Sequence, residues 1–385
     1  MLASRDRISS SCAYELQATL SDVALPGDEL YEKGCRVWNG AVRRRPAIIA
    51  FCRQLEDVQA AVRAARRHGL ALSVRGGGHD WAGRALRDGG LVIDLTGMRD
   101  VAVDPKALVA TVAGGARAKD VAAAAGAHNL VAAMGNCGTV GMAGLSLGGG
   151  YGPLSGTCGL AADNLLGAEI VLADGRRVTT GPDAEPDLLW ALRGGGGNFG
   201  VVTTLRVRLH PARNMLAGSF VYNWNEASAV LRRYASFAPT APDELGVSVG
   251  AMPGPNGERI IMVVPLWNGE RRQGERVMED VRALGAPLSA EVGPATYTDL
   301  LAQFDAWVEA AVGCHWVLRT RSLPALSAGA IDAIIAAKAR AASPYCAVFW
   351  HHFHGEADGA GWRRVRRASR ALDGGDRRGL EARWG

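Results

Sequence analysis

No apolar run in this 385-residue chain approaches the ~20 residues that a membrane-spanning helix requires. Its opening, MLASRDRISSSCAYELQ, has no apolar core of signal-peptide length, so a cytoplasmic location is the expectation. Cysteine is sparse. The seven cysteines (12, 35, 52, 137, 158, 314 and 346) are odd in number and widely spaced, which argues against a disulfide framework. No C-x-x-C pair points to zinc, and no metal is expected. An excess of one charge is also missing. The net charge is +5, and residues 356–385, with eight arginines against five acidic residues, supply +3 of it. The remainder is too balanced for a nucleic-acid surface.

What remains is an ordinary globular composition, 48% hydrophobic and 21% charged, in a chain long enough for about two domains. Glycine is the exception: its 50 residues are roughly twice the usual ~7% share, and they are clustered. In SVRGGGHDWAG, residues 73–83, a β-branched approach runs into Gly76, Gly77 and Gly78 and then His79. Three glycines let a ligand lie against bare amides, and successive amide N–H groups make a cradle for anions, phosphates above all. His79 would stand at its lip. Taken alone, the triplet reads equally as a tight turn before a surface histidine.

Residues 46–95 read as strand, helix and two further strands, a crossover unit with the glycine loop at a strand's carboxyl end, where α/β sheets bind ligands. VAVDPKALVATVAGGA, residues 101–116, reads as a hairpin around Asp104-Pro105, and AKDVAAAAGAHNL as a helix. Residues 132–152 hold eight glycines in twenty-one positions, a density at which no ordinary helix or strand is expected. A second hairpin turns at Asp174-Gly175, followed by a helix, a glycine loop at 194–200 and a strand ending at Pro211. Gly195, Gly197 and Gly200 match G-x-G-x-x-G, but the helix precedes and the strand follows, the reverse of a dinucleotide fingerprint. From residue 213 the texture changes to alternating strand-like and helical stretches of a second α+β unit.

The ordered segments RGGGH, CGTVGMAGLSLGGGYG and RGGGGNFG resemble the FAD-linked oxidases of the berberine-bridge-enzyme type, whose flavin domain is shared with vanillyl-alcohol oxidase relatives. The likeness runs from about residue 40 to 212 and more weakly, at FWHHFHG, to 355. It implies an α+β fold: a two-subdomain PCMH-type FAD-binding domain, then an α+β substrate domain with an antiparallel sheet. The expected division is an N-terminal segment at 1–39, the FAD-binding domain at 40–212, the substrate domain at 213–355 and an atypical basic tail at 356–385. The resemblance implies covalent FAD, tethered by His79 and by Cys137 of the C-x-x-V-G segment. Further cofactor contacts are expected from Arg75, Gly76, Gly77, Gly78 and Asp80, and from Gly138, Thr139, Val140, Gly141 and Gly144. Gly149, Gly150, Tyr151, Gly152, Asn198, Gly200, Val201 and Val202 complete that set.

The partners it implies are a small alcohol, sugar or secondary metabolite and O2, the latter because Val140 leaves room beside the flavin. A dehydrogenase using another acceptor is the nearest alternative. The proton acceptor that such oxidation needs is expected among His352 and His354 of VFWHHFH. At period two, Trp350, His352 and His354 share one strand face, and Phe349, His351 and Phe353 the other. The tail departs from the family, whose closing segment normally brings a tyrosine beside the flavin. After His354 this chain has no tyrosine and no strand alternation. It reads either as a basic, solvated tail or as a stretch whose reading frame departs near residues 356–362, which leaves open a catalytically impaired flavoprotein.

Overall fold

The computed structural model describes residues 2–341, 343 and 345–358. The sequence reading of the tail therefore lies almost wholly outside the described residues. Among those described, no helix is long and apolar enough to cross a membrane.

The chain forms three sheets, one after another. The first is built from α1 (Leu2–Gln17), β1 (Asp22–Ala24), α2 (Glu29–Gly34), β2 (Ile48–Phe51), α3 (Leu55–Arg67), β3 (Leu72–Arg75) and β4 (Leu91–Asp94). Its strand order is β1-β2-β4-β3, with β2, β4 and β3 parallel and β1 antiparallel at the edge. α3 forms because Val58, Ala61, Val62 and Ala65 recur at helical spacing and bury on the sheet. The Asp57 carboxylate accepts the N–H groups of Arg53 and Gln54, satisfying donors at the helix start. Gly69, in the left-handed region at φ 63°, ends the turn. This crossover delivers the loop at 76–79 to the carboxyl end of β3.

The second sheet follows, with β5 (Val101–Asp104), β6 (Val109–Ala113), α4 (Ala118–Gly126), β7 (Leu130–Ala132), α5 (Met142–Leu147), α6 (Ser155–Cys158), β8 (Leu165–Val171), β9 (Arg177–Thr180), α7 (Pro186–Leu192) and β10 (Val201–Pro211). Its antiparallel order is β5-β6-β10-β8-β9, and β7 pairs with the far end of β10. Both predicted hairpins are present, as is the helix-then-strand order around the third glycine loop. The glycine-rich stretch differs from expectation, since α5 lies inside it. Met142, Ala143 and Leu147 of α5 are buried, while Gly144 faces open space. Tertiary hydrogen bonds hold both ends: Met142 N donates to Ala116 O (2.9 Å) and Gly194 N to Leu147 O (3.1 Å). Packing here overrides a poor intrinsic propensity.

The third sheet comprises β11 (Leu216–Asn223), α8 (Ala227–Phe237), β12 (Leu245–Pro253), β13 (Arg259–Trp267), α9 (Arg271–Arg282), β14 (Pro287–Pro294), α10 (Tyr297–Ala310), α11 (Ala328–Ala339) and β15 (Val348–His351). Its order is β14-β11-β13-β12-β15, antiparallel throughout. One face, carrying Phe220, Val249, Val263 and Trp267, packs on α8 and α9 through Val230, Leu231, Val277 and Val281. Alternate residues, among them Ser219, Ser248, Gly250, Met262 and Val264, line an open cavity instead. β15 ends at His351, earlier than the sequence alternation suggests.

Ile93, fully buried in the centre of the first sheet, tests this packing. Ile93→Ala should cost about 2–5 kcal/mol of unfolding free energy, read by chemical denaturation. A loss under about 0.5 kcal/mol would show a loosely packed strand.

Candidate functional site

Beneath the first glycine loop lies a buried ion pair. The Asp94 carboxylate, shut off from solvent at the end of β4, pairs with Arg75 Nη1 at 3.2 Å and accepts from Thr96 N at 2.8 Å. Arg75 also donates to the carbonyls of Gly34 (2.7 Å) and Arg36 (2.9 Å), so one guanidinium ties three segments under the loop. Its Nε is buried without a partner. Asp80, beyond the loop, accepts from Arg84 N at 2.6 Å and pairs with the Arg84 guanidinium.

The loop itself packs backbone against backbone. A Cβ on Gly77 would meet the nitrogen and Cα of Gly141, and a Cβ on Gly141 would meet Gly77 in return. Positive φ falls on Gly78, at 70°, and not on Gly77. The need for glycine at 77 and 141 is thus one of space, whereas at 78 it is one of conformation. Elsewhere Gly152 approaches the Met134 carbonyl, and Gly200, at φ 150°, approaches that of Val171. Gly149 and Gly150 take φ of 112° and 67°.

This contact brings the expected tethering residues together. Thr139 Oγ1 lies 2.9 Å from His79 Nε2 and 3.3 Å from Cys137 Sγ. Burial, reinforced by the Arg117 charge, lowers the His79 pKa to about 4, so the imidazole is neutral at pH 7. Burial raises the Cys137 thiol, and the hydrogen bonds to Thr139 partly offset it. Arg117 Nε is a second buried donor without a partner.

His79, Cys137, Val140 and Tyr151 form one wall of a cavity of about 2810 Å³, and the open face of the third sheet forms another. Its rim is aromatic. Trp38 stacks on His79 (5.8 Å between ring centroids) and on Trp316 (5.6 Å), and Trp81 meets Trp38 edge-on at 4.8 Å. α10 closes the far side: Tyr297 Oη donates to Met134 O (2.7 Å), and Gly138 N donates to Asp305 Oδ1 (2.7 Å).

The histidines of VFWHHFH divide differently from the expectation. His351, on the cavity face of β15, has its Nδ1 3.0 Å from Ser248 Oγ and its ring against Tyr151 at 5.0 Å. His352 and His354 lie past the strand end, so the period-two pairing with Trp350 does not reach them. Their rings stack at 4.7 Å. His354 faces two acceptors, Asp243 Oδ1 and Leu245 O, each at 3.1 Å, and pins the following turn. Of the remaining expected contacts, Val201 and Val202 point their side chains into hydrophobic cores and have only backbone to offer. Asn198 is exposed and bonded to Gly195 O at 2.7 Å. No described residue of 194–200 lines the cavity. Sequence reasoning missed Trp38, Trp81, Trp316, Tyr297 and Asp305. Trp81 stands two residues after His79 within the quoted glycine segment, but the other four reach the site from distant segments and nothing in local patterning marks them.

Side-chain-free loops set against one another, beside two orphaned buried guanidinium nitrogens, suit a large anionic ligand whose negative middle lies on bare amides. The fold and site define a flavin-binding protein. Residues 46–181 match the FAD binding domain model and are an FAD-binding domain. The chain is 34% identical over 284 residues to the (R)-6-hydroxynicotine oxidase of Paenarthrobacter nicotinovorans, covering 73% of this chain and 62% of that one. The crystal structure of 6-hydroxy-D-nicotine oxidase from Arthrobacter nicotinovorans superposes with a TM-score of 0.71 at 34% identity, over 74% and 64% of the two chains. A berberine-bridge-enzyme-like protein of Physcomitrella patens shares the fold, with a TM-score of 0.76 at 24% identity over 91% and 78%. More particularly, then, the chain is a homologue of the FAD-linked oxidases, spanning somewhat less than two thirds of the first relative's length.

Two substitutions test the site. Arg75→Met strands the Asp94 carboxylate in the interior and should cost about 3–5 kcal/mol of stability, read by thermal or denaturant unfolding. Gly77→Ala should give a protein with little bound flavin, read from its visible absorbance, because the new methyl displaces the Gly141 backbone. Full flavin content in Gly77→Ala would show that this contact is dispensable.

Proposed function

We propose that the protein is an FAD-dependent oxidase, holding its flavin covalently through both His79 and Cys137. It would oxidise a small alcohol, sugar or secondary metabolite with molecular oxygen as acceptor. The observation that carries the reading is Thr139, whose single hydroxyl joins the imidazole and the thiol at the cavity wall. Two nucleophilic atoms on loops from different sheets converge on one place. A neutral imidazole with an available lone pair is the form of His79 that bonds to carbon, and its lowered pKa maintains that form at pH 7.

In this reading residues 40–212 hold the cofactor, and residues 213–355 supply the substrate wall. FAD, when bound, supplies the hydride acceptor. The chain's own residues orient the substrate, exclude water and take the hydroxyl proton. All three histidines line the cavity, but His351 suits the last task best, since it is held on β15 beside Ser248 and Tyr151 and burial lowers its pKa, whereas His354 is engaged by the Asp243 carboxylate. A base of lowered pKa stays unprotonated, and hence competent, to more acid pH than an ordinary histidine.

Acid-precipitated protein should stay yellow, as should His79→Ala and Cys137→Ala singly, and only the double variant should release its flavin. Release from the unmodified protein would refute covalent attachment. Protein reduced by substrate without oxygen should recover its oxidised spectrum within a stopped-flow mixing experiment with air. Recovery only with an added artificial acceptor would identify a dehydrogenase. For the base, His351→Gln should lower kcat roughly 100-fold or more, and the acid limb of the parent's kcat/KM profile should lie below the ordinary histidine value of ~6.5. An unaffected His351→Gln enzyme would return the role to His352.

A further inference from the structure

The Cys137 loop is held by a helix that belongs to neither of the two sheets carrying the glycine segments. α10 follows the third sheet's β14, yet packs against α4, the helix that follows the Gly114-Gly115 turn. It grips the loop at two points. Upstream of Cys137, the Tyr297 hydroxyl donates to the carbonyls of Met134 (2.7 Å) and Gly135 (3.2 Å). Downstream, Asp305 Oδ1 accepts the Gly138 N–H at 2.7 Å. On the opposite side, Lys119 N donates to Gly138 O at 2.9 Å. Gly138, next to Cys137, is therefore bonded through both its N–H and its carbonyl.

Asp305 is not accounted for by an ion pair. Among the described residues no lysine or arginine lies within salt-bridge distance of it, although its carboxylate is half-buried. A part-buried carboxylate without a cation costs solvation energy, so its position against an amide of this loop is informative. The glycine in C-G-T-V-G reflects the same contact: a Cβ on Gly138 would meet the Asp305 carboxylate and Lys119 Cβ. The charged and titratable groups facing Cys137 are Asp305 from α10, His79 across Thr139, and Arg117 behind His79.

We propose that Asp305 is a positioning residue, which fixes the Cys137 thiol in line with His79 by anchoring the Gly138 amide to α10. In this arrangement the segment that builds the substrate wall also sets where the flavin can be tethered. The proposal rests on the double attachment proposed above, and the experiment separates the two.

The full chain as produced is compared with Asp305→Asn and Asp305→Ala. Each protein is digested, and the peptides holding His79 and Cys137 are weighed for linked flavin. The unmodified protein should carry flavin on both. Asp305→Ala should keep it on His79, which shows that the site has folded, and lose it from Cys137 by about tenfold or more, the scale expected for a misplaced reacting atom. Asp305→Asn retains an acceptor for the Gly138 amide and should keep most of the Cys137 linkage. Equal Cys137 linkage in the unmodified protein and Asp305→Ala overturns the proposal. If the unmodified Cys137 carries no flavin, it is double attachment that fails, and positioning is read from the free thiol. Iodoacetamide labelling of the Cys137 peptide against pH should then show an altered plateau rate in Asp305→Ala. In Asp305→Asn the midpoint should move to lower pH, because a negative charge that disfavours the thiolate is gone. Profiles identical to the unmodified protein in both variants would likewise overturn it.

Discussion

Everything at this site depends on two backbones approaching with no side chain between them. Gly77 and Gly141 occupy space that any Cβ would claim from the other, and their loops hang from different sheets. Such an approach is unfavourable unless both loops are held from behind. On one side the Asp94–Arg75 pair does so, with the two terminal guanidinium nitrogens also bonded to the carbonyls of Gly34 and Arg36. On the other side the loop is hydrogen-bonded to α4 and α10. The convergence of His79, Thr139 and Cys137 is a consequence of this contact. Local conformation at any one of them would not produce it.

The third sheet contributes through its asymmetry. Its apolar face is sealed by α8 and α9 around Trp267, which leaves the alternate residues free to be small and varied. Glycine, serine and methionine on that open face make the wall of a wide cavity, whose rim of tryptophans adds flat apolar surface. The two halves of the molecule are joined across the cavity by hydrogen bonds from α10, so that wall and cofactor loops form one structure.

Electrostatically the site is tuned more by burial than by paired charge. Desolvation is the largest influence on His79, on Cys137 and on His351, and in each case it favours the neutral form. A pocket walled by neutral imidazoles and a neutral thiol suits a flat, uncharged ring system, while the Nε atoms of Arg75 and Arg117 are buried without a partner outside the cavity lining.

The primary structure by itself determined the strand–helix–strand unit, both hairpins and the glycine loops, because hydrophobic period, turn dipeptides and glycine are local signals. It also placed His79 and Cys137 beside glycines of unmistakable spacing. It misjudged the backbone around Gly144, where α5 is stabilised by Ala116 and Gly194, each far away in the chain. It extended the alternation of β15 past His351, since polar and aromatic residues continue to alternate after pairing with β12 has stopped. Only the tertiary structure decided that Gly77 is required for space and not for positive φ, and that, of the histidines lining the cavity, His354 meets the Asp243 carboxylate and His351 the Ser248 hydroxyl. It alone brought Trp38, Tyr297 and Asp305 to the site. Their positions depend on packing between segments up to 270 residues apart, as the Trp38–Val308 hydrogen bond is, and no local pattern encodes a contact of that range.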